Sequence, residues 1–263
     1  MKPILRWLAG LVLLALGLQL FFVGRIALMA QVDPASTAFE RSEAWRQVRD
    51  DGRLRWRQQW ADYDRIADSL KRAVIASEDE NFATHDGVLW DAIQKARARN
   101  EKALARAEQL QEQAIARAEA LAKKRGEEFD PAAVPIRPVK LMGGSTITQQ
   151  LAKNLLLSSE RHLLRKGQEL VLTYALELLL DKQRILELYL NHAEWGDGIF
   201  GAEAAAQHYF RKSAAQLTPA ESARLAVMLP RPKDAEKNPQ SAYMNRRTGT
   251  ILARMRYAEL PTP

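Results

Sequence analysis

Residues 78–87, EDENFATHDG, crowd Glu78, Asp79, Glu80, His85 and Asp86 around Phe82. Side chains of these types do general acid and base work. The stretch before them, residues 63–76, places Ile66, Leu70 and Val74 at helical spacing between charged residues. A carboxylate at the edge of such an apolar helix loses part of its hydration, so its pKa rises and it can accept a proton near neutrality. The same composition equally suits a solvated acidic loop with His85 as a structural hydrogen-bonder. No second histidine stands at ligand spacing, which weakens a metal site.

Two further segments carry candidate chemistry. Residues 143–150, GGSTITQQ, offer paired glycines, hydroxyls and two amides at a helix start, where backbone N–H groups can meet an anion or sugar oxygens. The stretch lacks the Gly-Lys-Ser/Thr ending of a P-loop, and an ordinary loop feeding a capped helix accounts for it as well. Lys153, Arg161, Arg165 and Lys166 follow within fourteen positions, and Glu169 stands four after Arg165 and three after Lys166. On a helix those last three share a face. Such spacing describes either a surface ion pair or a basic cradle for a diphosphate beside a carboxylate.

The elements that must hold these residues are helical. Thr146 with Gln149, and Thr218 with Pro219 and Glu221, are helix-start signals. Alternating β-branched patterns are scarce, so the fold class is mainly α, with loops expected at Ser145, at 158–159 and at 196–201. Residues 94–128 are dominated by Ala, Arg, Glu, Gln and Lys and read as a long exposed helix or helical hairpin, closed by DPAAVPIRP. Its apolar positions are too sparse for a coiled-coil seam.

At the N-terminus, residues 7–24 contain one strongly polar side chain, Gln19, and residues 26–30 extend the apolar run past Arg25. A bilayer core of roughly 30 Å needs about 20 such residues. Lys2 and Arg6 precede the span, which puts the N-terminus in the cytoplasm and the rest outside, with Arg25 counting against that orientation. The run exceeds the roughly 7 to 15 apolar residues of a signal peptide, and Leu28 spoils the small-x-small pattern before a cut at Ala30, so an uncleaved anchor is favoured.

The 263-residue chain is 47% hydrophobic and 27% charged, which excludes a disordered or fully membrane-embedded protein. Its formal charge of +7 favours an anionic partner, and the lack of cysteine excludes disulfides, Cys-ligated zinc and thiol catalysis.

In this order, EDENFATHDG, GGSTITQQLAKN, RKGQE and YLNHAEWGDGIFGAEAAAQHYF resemble the signature of the peptidoglycan glycosyltransferases of family 51, over about residues 72–232. With the anchor and short length, the chain resembles the monofunctional members. No Ser is followed three residues later by Lys, so no transpeptidase domain is expected. The Ala/Arg/Glu-rich stretch is longer than the usual connection. The resemblance implies a lysozyme-like glycosyltransferase domain behind one N-terminal transmembrane helix: residues 1–30 cytoplasmic tip and anchor, 31–62 juxtamembrane connection, and 63–263 catalytic domain with a helical insertion at about 96–128. It implies polymerisation of lipid II with inversion, in the bacterial inner membrane with the catalytic domain periplasmic. Glu78 matches the general base, Glu169 the second carboxylate, Lys153, Arg161, Arg165 and Lys166 the phosphate contacts, and Ser145 and Gln150 donor-side contacts. The resemblance names no certain cofactor and leaves the use of a divalent cation such as Mg open. The implied partners are lipid II, the growing lipid-linked glycan, the bilayer and cell-wall synthesis proteins, with no nucleic acid. Rival readings are a lytic muramidase of the same general fold and a non-enzymatic membrane-anchored scaffold.

Overall fold

The computed structural model describes residues 2–136, 138–139, 141, 143–157 and 163–262, and divides into two compact units, Met1–Val88 with Thr146–Pro263, and Leu89–Ser145.

The first unit begins with α1 (Lys2–Met29), one uninterrupted helix with mean hydropathy 2.2 over its most apolar window, long and apolar enough to cross a membrane. Most of its side chains are exposed, but Ile26 and Met29 near its end are buried in the core. Arg184 holds that end, donating from Nε to the Met29 carbonyl at 2.8 Å and pairing with Asp33 at 2.7 Å. The following stretch, where no motif was evident, forms α2 (Ala38–Asp51), started by a Thr37/Glu40 capping box and stopped by Gly52 in the left-handed region.

The site is carried by α3 (Asp68–Glu78), α5 (Ile147–Leu156), α6 (Leu163–Leu179) and α7 (Lys182–His192). Leu70, Val74, Ile147, Leu151, Leu172 and Leu176 recur every three or four residues and are fully or almost fully buried, which is why these helices close on one core. The Thr146/Gln149 capping box forms as expected, and Asp181 caps α7 through the Arg184 N–H at 2.7 Å. Helix α5 packs on α6 and α7, and α1 lies along α6.

The remainder is α8 (Ala202–Phe210), α9 (Pro219–Met228), α10 (Pro232–Lys237) and α11 (Ala242–Arg254), with α3 packed against α9 and α11. The Thr218/Glu221 box starts α9. The loop expected at 196–201 is instead a hairpin of β2 (Glu194–Gly196) and antiparallel β3 (Ile199–Phe200), which β1 (Arg57–Gln58) extends in parallel. Gly198 makes the turn at φ +76°, and a Cβ there would lie 1.9 Å from the Arg55 carbonyl oxygen. Strands of two or three residues are too short to show alternation in a sequence.

The second unit is built on α4 (Trp90–Arg125), a single 36-residue helix with no buried residue. At 1.5 Å per residue it is about 54 Å long. Gly126 ends it in the left-handed conformation, and Lys123, Lys124 and Arg125 sit where the helix dipole favours cations.

Candidate active site

Glu78 is the last residue of α3, half-buried, and its two oxygens have different partners. Gln150 on α5 donates from Nε2 to Oε2 at 3.1 Å, and Ser77 donates to Oε1 at 3.2 Å. Gln150 is itself fixed, because the Tyr189 hydroxyl on α7 donates to its Oε1 at 3.0 Å. An ionised carboxylate only accepts, so Glu78 takes the Gln150 NH₂ and the Tyr189 hydroxyl is left to donate to the opposite amide oxygen. Burial raises the Glu78 pKa above the ordinary carboxylate value, opposed by the hydrogen bonds from Gln150 and Ser77 and by the charge of Arg247 on α11. Burial, with the negative charges of Glu78 and Asp79, also pushes the Tyr189 hydroxyl well above its normal range, so it stays a donor.

Asp79 and His85, adjacent in the acidic motif, do something else. The Gly87 N–H donates to His85 Nδ1 at 2.9 Å, which leaves the ring proton on Nε2, and Nε2 donates to both Asp79 oxygens at 3.0 and 2.9 Å. Asp79 Oδ2 also accepts the Ile147 N–H at 3.0 Å, and Thr146 Oγ1 donates to the Gly87 carbonyl at 2.6 Å. These buried bonds tie the turn after α3 to the first turn of α5, and thereby hold Gln150 against Glu78. His85 is the structural hydrogen-bonder of the two alternatives. Gly87 is needed at φ +82°, where a Cβ would sit 2.7 Å from Glu177 Cγ.

The basic cluster divides. Arg165, Lys166 and Glu169 share a face of α6: Arg165 Nη1 is 3.4 Å from Glu169 Oε2, and Lys166 Nζ pairs with Oε1. Glu169 is 3% exposed whereas the Lys166 side chain is 53% exposed, so a buried carboxylate orders two cations, one of which reaches solvent. Lys153 is exposed on α5, one turn beyond Gln150. Arg161 lies outside the described residues. Ser145 is exposed and ends the second unit. Among the described residues no group of three or more His, Asp or Glu side chains is arranged to hold a metal ion.

The family model described as Transglycosylase matches residues 47–113 and 136–256. The chain belongs to the transglycosylase family. It is 48% identical to a biosynthetic peptidoglycan transglycosylase of Bordetella avium, with 97% of each chain covered. It is 46% identical to the protein of that name from Bordetella pertussis (92% and 88% covered) and 45% identical to that of Janthinobacterium sp. (99% of each). The match to the family model omits residues 114–135, the C-terminal part of α4 and the turn beyond it.

In this transglycosylase, reading the sequence missed Tyr189 and Arg247 as neighbours of Glu78. Tyr189 opens the YLN segment, but nothing local says that its hydroxyl reaches a glutamine 39 residues away. It also missed the fully buried pair of Glu40 and His192, in which His192 Nδ1 donates to Glu40 Oε1 at 2.8 Å and Gln58 adds a bond at 3.1 Å. Asn191 acts as a backbone mimic, accepting the Ala61 N–H at 2.8 Å and donating to its carbonyl at 2.9 Å, which fastens the chain before α3 to α7.

Proposed function

We propose that the chain polymerises peptidoglycan glycan strands, transferring the growing lipid-linked glycan onto the GlcNAc 4-hydroxyl of lipid II. The observation that carries this reading is the Tyr189–Gln150–Glu78 arrangement: a desolvated carboxylate with raised proton affinity, held by a donor that cannot turn away. Glu78 removes the proton from the acceptor hydroxyl as its oxygen attacks the anomeric carbon of the donor MurNAc. The new glycosidic C–O bond forms while the bond from that carbon to the diphosphate oxygen breaks, and the electron pair leaves with undecaprenyl diphosphate. A single displacement of this kind inverts the configuration. A lipid diphosphate leaves more easily than a sugar alkoxide, so its developing charge needs cations more than a proton. Arg165 and Lys166, held by Glu169, and Lys153 are the described residues suited to that task, with Arg161 the further basic candidate and Ser145 and Gln150 contacting the donor side.

The apolar helix α1 supports a membrane anchor. Ile26 and Met29 are part of the core, so a cut near Gln31 would remove two buried side chains, which favours the uncleaved form. The proposed orientation is N-terminus in the cytoplasm and catalytic domain on the periplasmic face of the inner membrane.

Supplying the purified chain with lipid II tests the reading. The expected product is a polymer that lysozyme digests. Cleavage of preformed glycan without polymer would favour the muramidase, for which a carboxyl with raised pKa also serves as acid. Inactivity on both would favour the scaffold.

A further inference from the structure

The one strongly polar side chain within residues 7–24 is not left to lipid. Gln19 Nε2 donates to Gln168 Oε1 at 2.8 Å and Gln168 Nε2 donates to Gln19 Oε1 at 2.9 Å, a closed ring of two hydrogen bonds between α1 and α6. Gln19 continues the α1 face marked by partly buried Phe22 and buried Ile26 and Met29, at spacings that keep one side of a helix toward the domain. Arg184 fixes that face at Met29, and Gln168 fixes it ten residues, about 15 Å, closer to the N-terminus. One attachment would leave the axis free to tilt, whereas two set it. The second lies in the same turn of α6 as Arg165, Lys166 and Glu169. Along the outward face of α6, Leu164, Val171 and Leu178 are exposed, so this helix presents apolar side chains at the level where α1 is itself apolar.

We propose that Gln19 and Gln168 form an amide clasp that positions the Arg165–Lys166–Glu169 row at the depth where a diphosphate emerges from the bilayer on its polyprenyl tail. The inference rests on the polymerase reading above and makes both glutamines positioning residues.

The test uses the full-length chain in phospholipid vesicles with lipid II. Gln19→Leu and Gln168→Leu are each expected to raise the KM for lipid II by about threefold to tenfold, to change kcat less than twofold, and to leave the melting temperature near the parental value. The double leucine variant should be no worse than the worse single one, because a single interaction is being removed. The chain has no cysteine, so Gln19→Cys with Gln168→Cys can be joined by a short bis-methanethiosulfonate linker, and the joined form should recover the parental KM that the reduced form has lost. A purely structural pair would move melting temperature and not KM. Parental KM in the leucine variants, loss confined to kcat, or failure of the cysteines to cross-link would overturn the proposal. A parent chain inactive on lipid II would overturn the polymerase reading and the proposal with it, whereas an active parent with unaffected variants would overturn the proposal alone.

Discussion

Glu78, the proposed general base, stands where burial works against its charge. Its raised pKa means that the folded state holds its proton more tightly than the unfolded chain, so the stability linked to this group is present at low pH and lost as pH rises through the folded value. Glu78→Gln, which keeps the shape and the partner at Gln150, is therefore expected to melt at or above the parental temperature at neutral pH while polymerisation falls about 100- to 10,000-fold. A variant that melts lower, or polymerises at the parental rate, contradicts the assignment. Arg165 requires a gentler change. Glu169 is buried, so Arg165→Ala would strip one partner from a buried carboxylate and confuse destabilisation with loss of function. Arg165→Lys keeps the charge and removes the guanidinium fork, and should weaken binding of a diphosphate-lipid inhibitor with little change in melting. The ion pair in the sequence was legible from spacing; its burial was not, because burial depends on helices far along the chain. The same limit hid the role of Asp79, whose backbone partner at Ile147 lies 68 residues away.

Helices announced themselves where their ends carry chemistry. Thr146 and Thr218 were readable as caps because a capping box is contained within four residues, and both boxes form. The three-stranded sheet was unreadable, since its parallel pairing joins residues 57–58 to 199–200 and each strand is too short to alternate. Helix α4 illustrates composition without burial: strong helix formers produce 36 helical residues, none of which enters a core. Replacing residues 97–135 by a short Gly/Ser linker should lower the helical circular dichroism signal and leave the cooperative melting of the first unit in place. Loss of that transition would show that the segment supports the catalytic fold.

Across the whole molecule, a charge cluster away from the site adds to the pH response of the fold. Glu194 packs among Lys233, Glu43 and Asp197, and burial lifts its pKa from 4.5 to about 7 against the pull of Lys233. Glu43 is held below its usual value by hydrogen bonds from Arg46 and Lys233, despite its own burial. Stability tied to Glu194 is full below pH 4.5 and lost as pH rises to about 7, a change of at most about 3 kcal/mol. Glu194→Gln should therefore flatten the stability profile between pH 5 and 8, as read by urea unfolding, and an unchanged slope would refute this account. The seating of Met29 and Ile26 in the core has a kinetic consequence as well. On the proposed reading, a domain built onto its membrane anchor would meet lipid-borne substrate by searching a plane, and substrate per unit of bilayer area, rather than per unit volume, would set its rate. Adding inert phospholipid to the same vesicles at constant bulk lipid II should slow polymer formation in proportion to surface dilution, and a rate indifferent to that dilution would mean that the enzyme draws its substrate from solution.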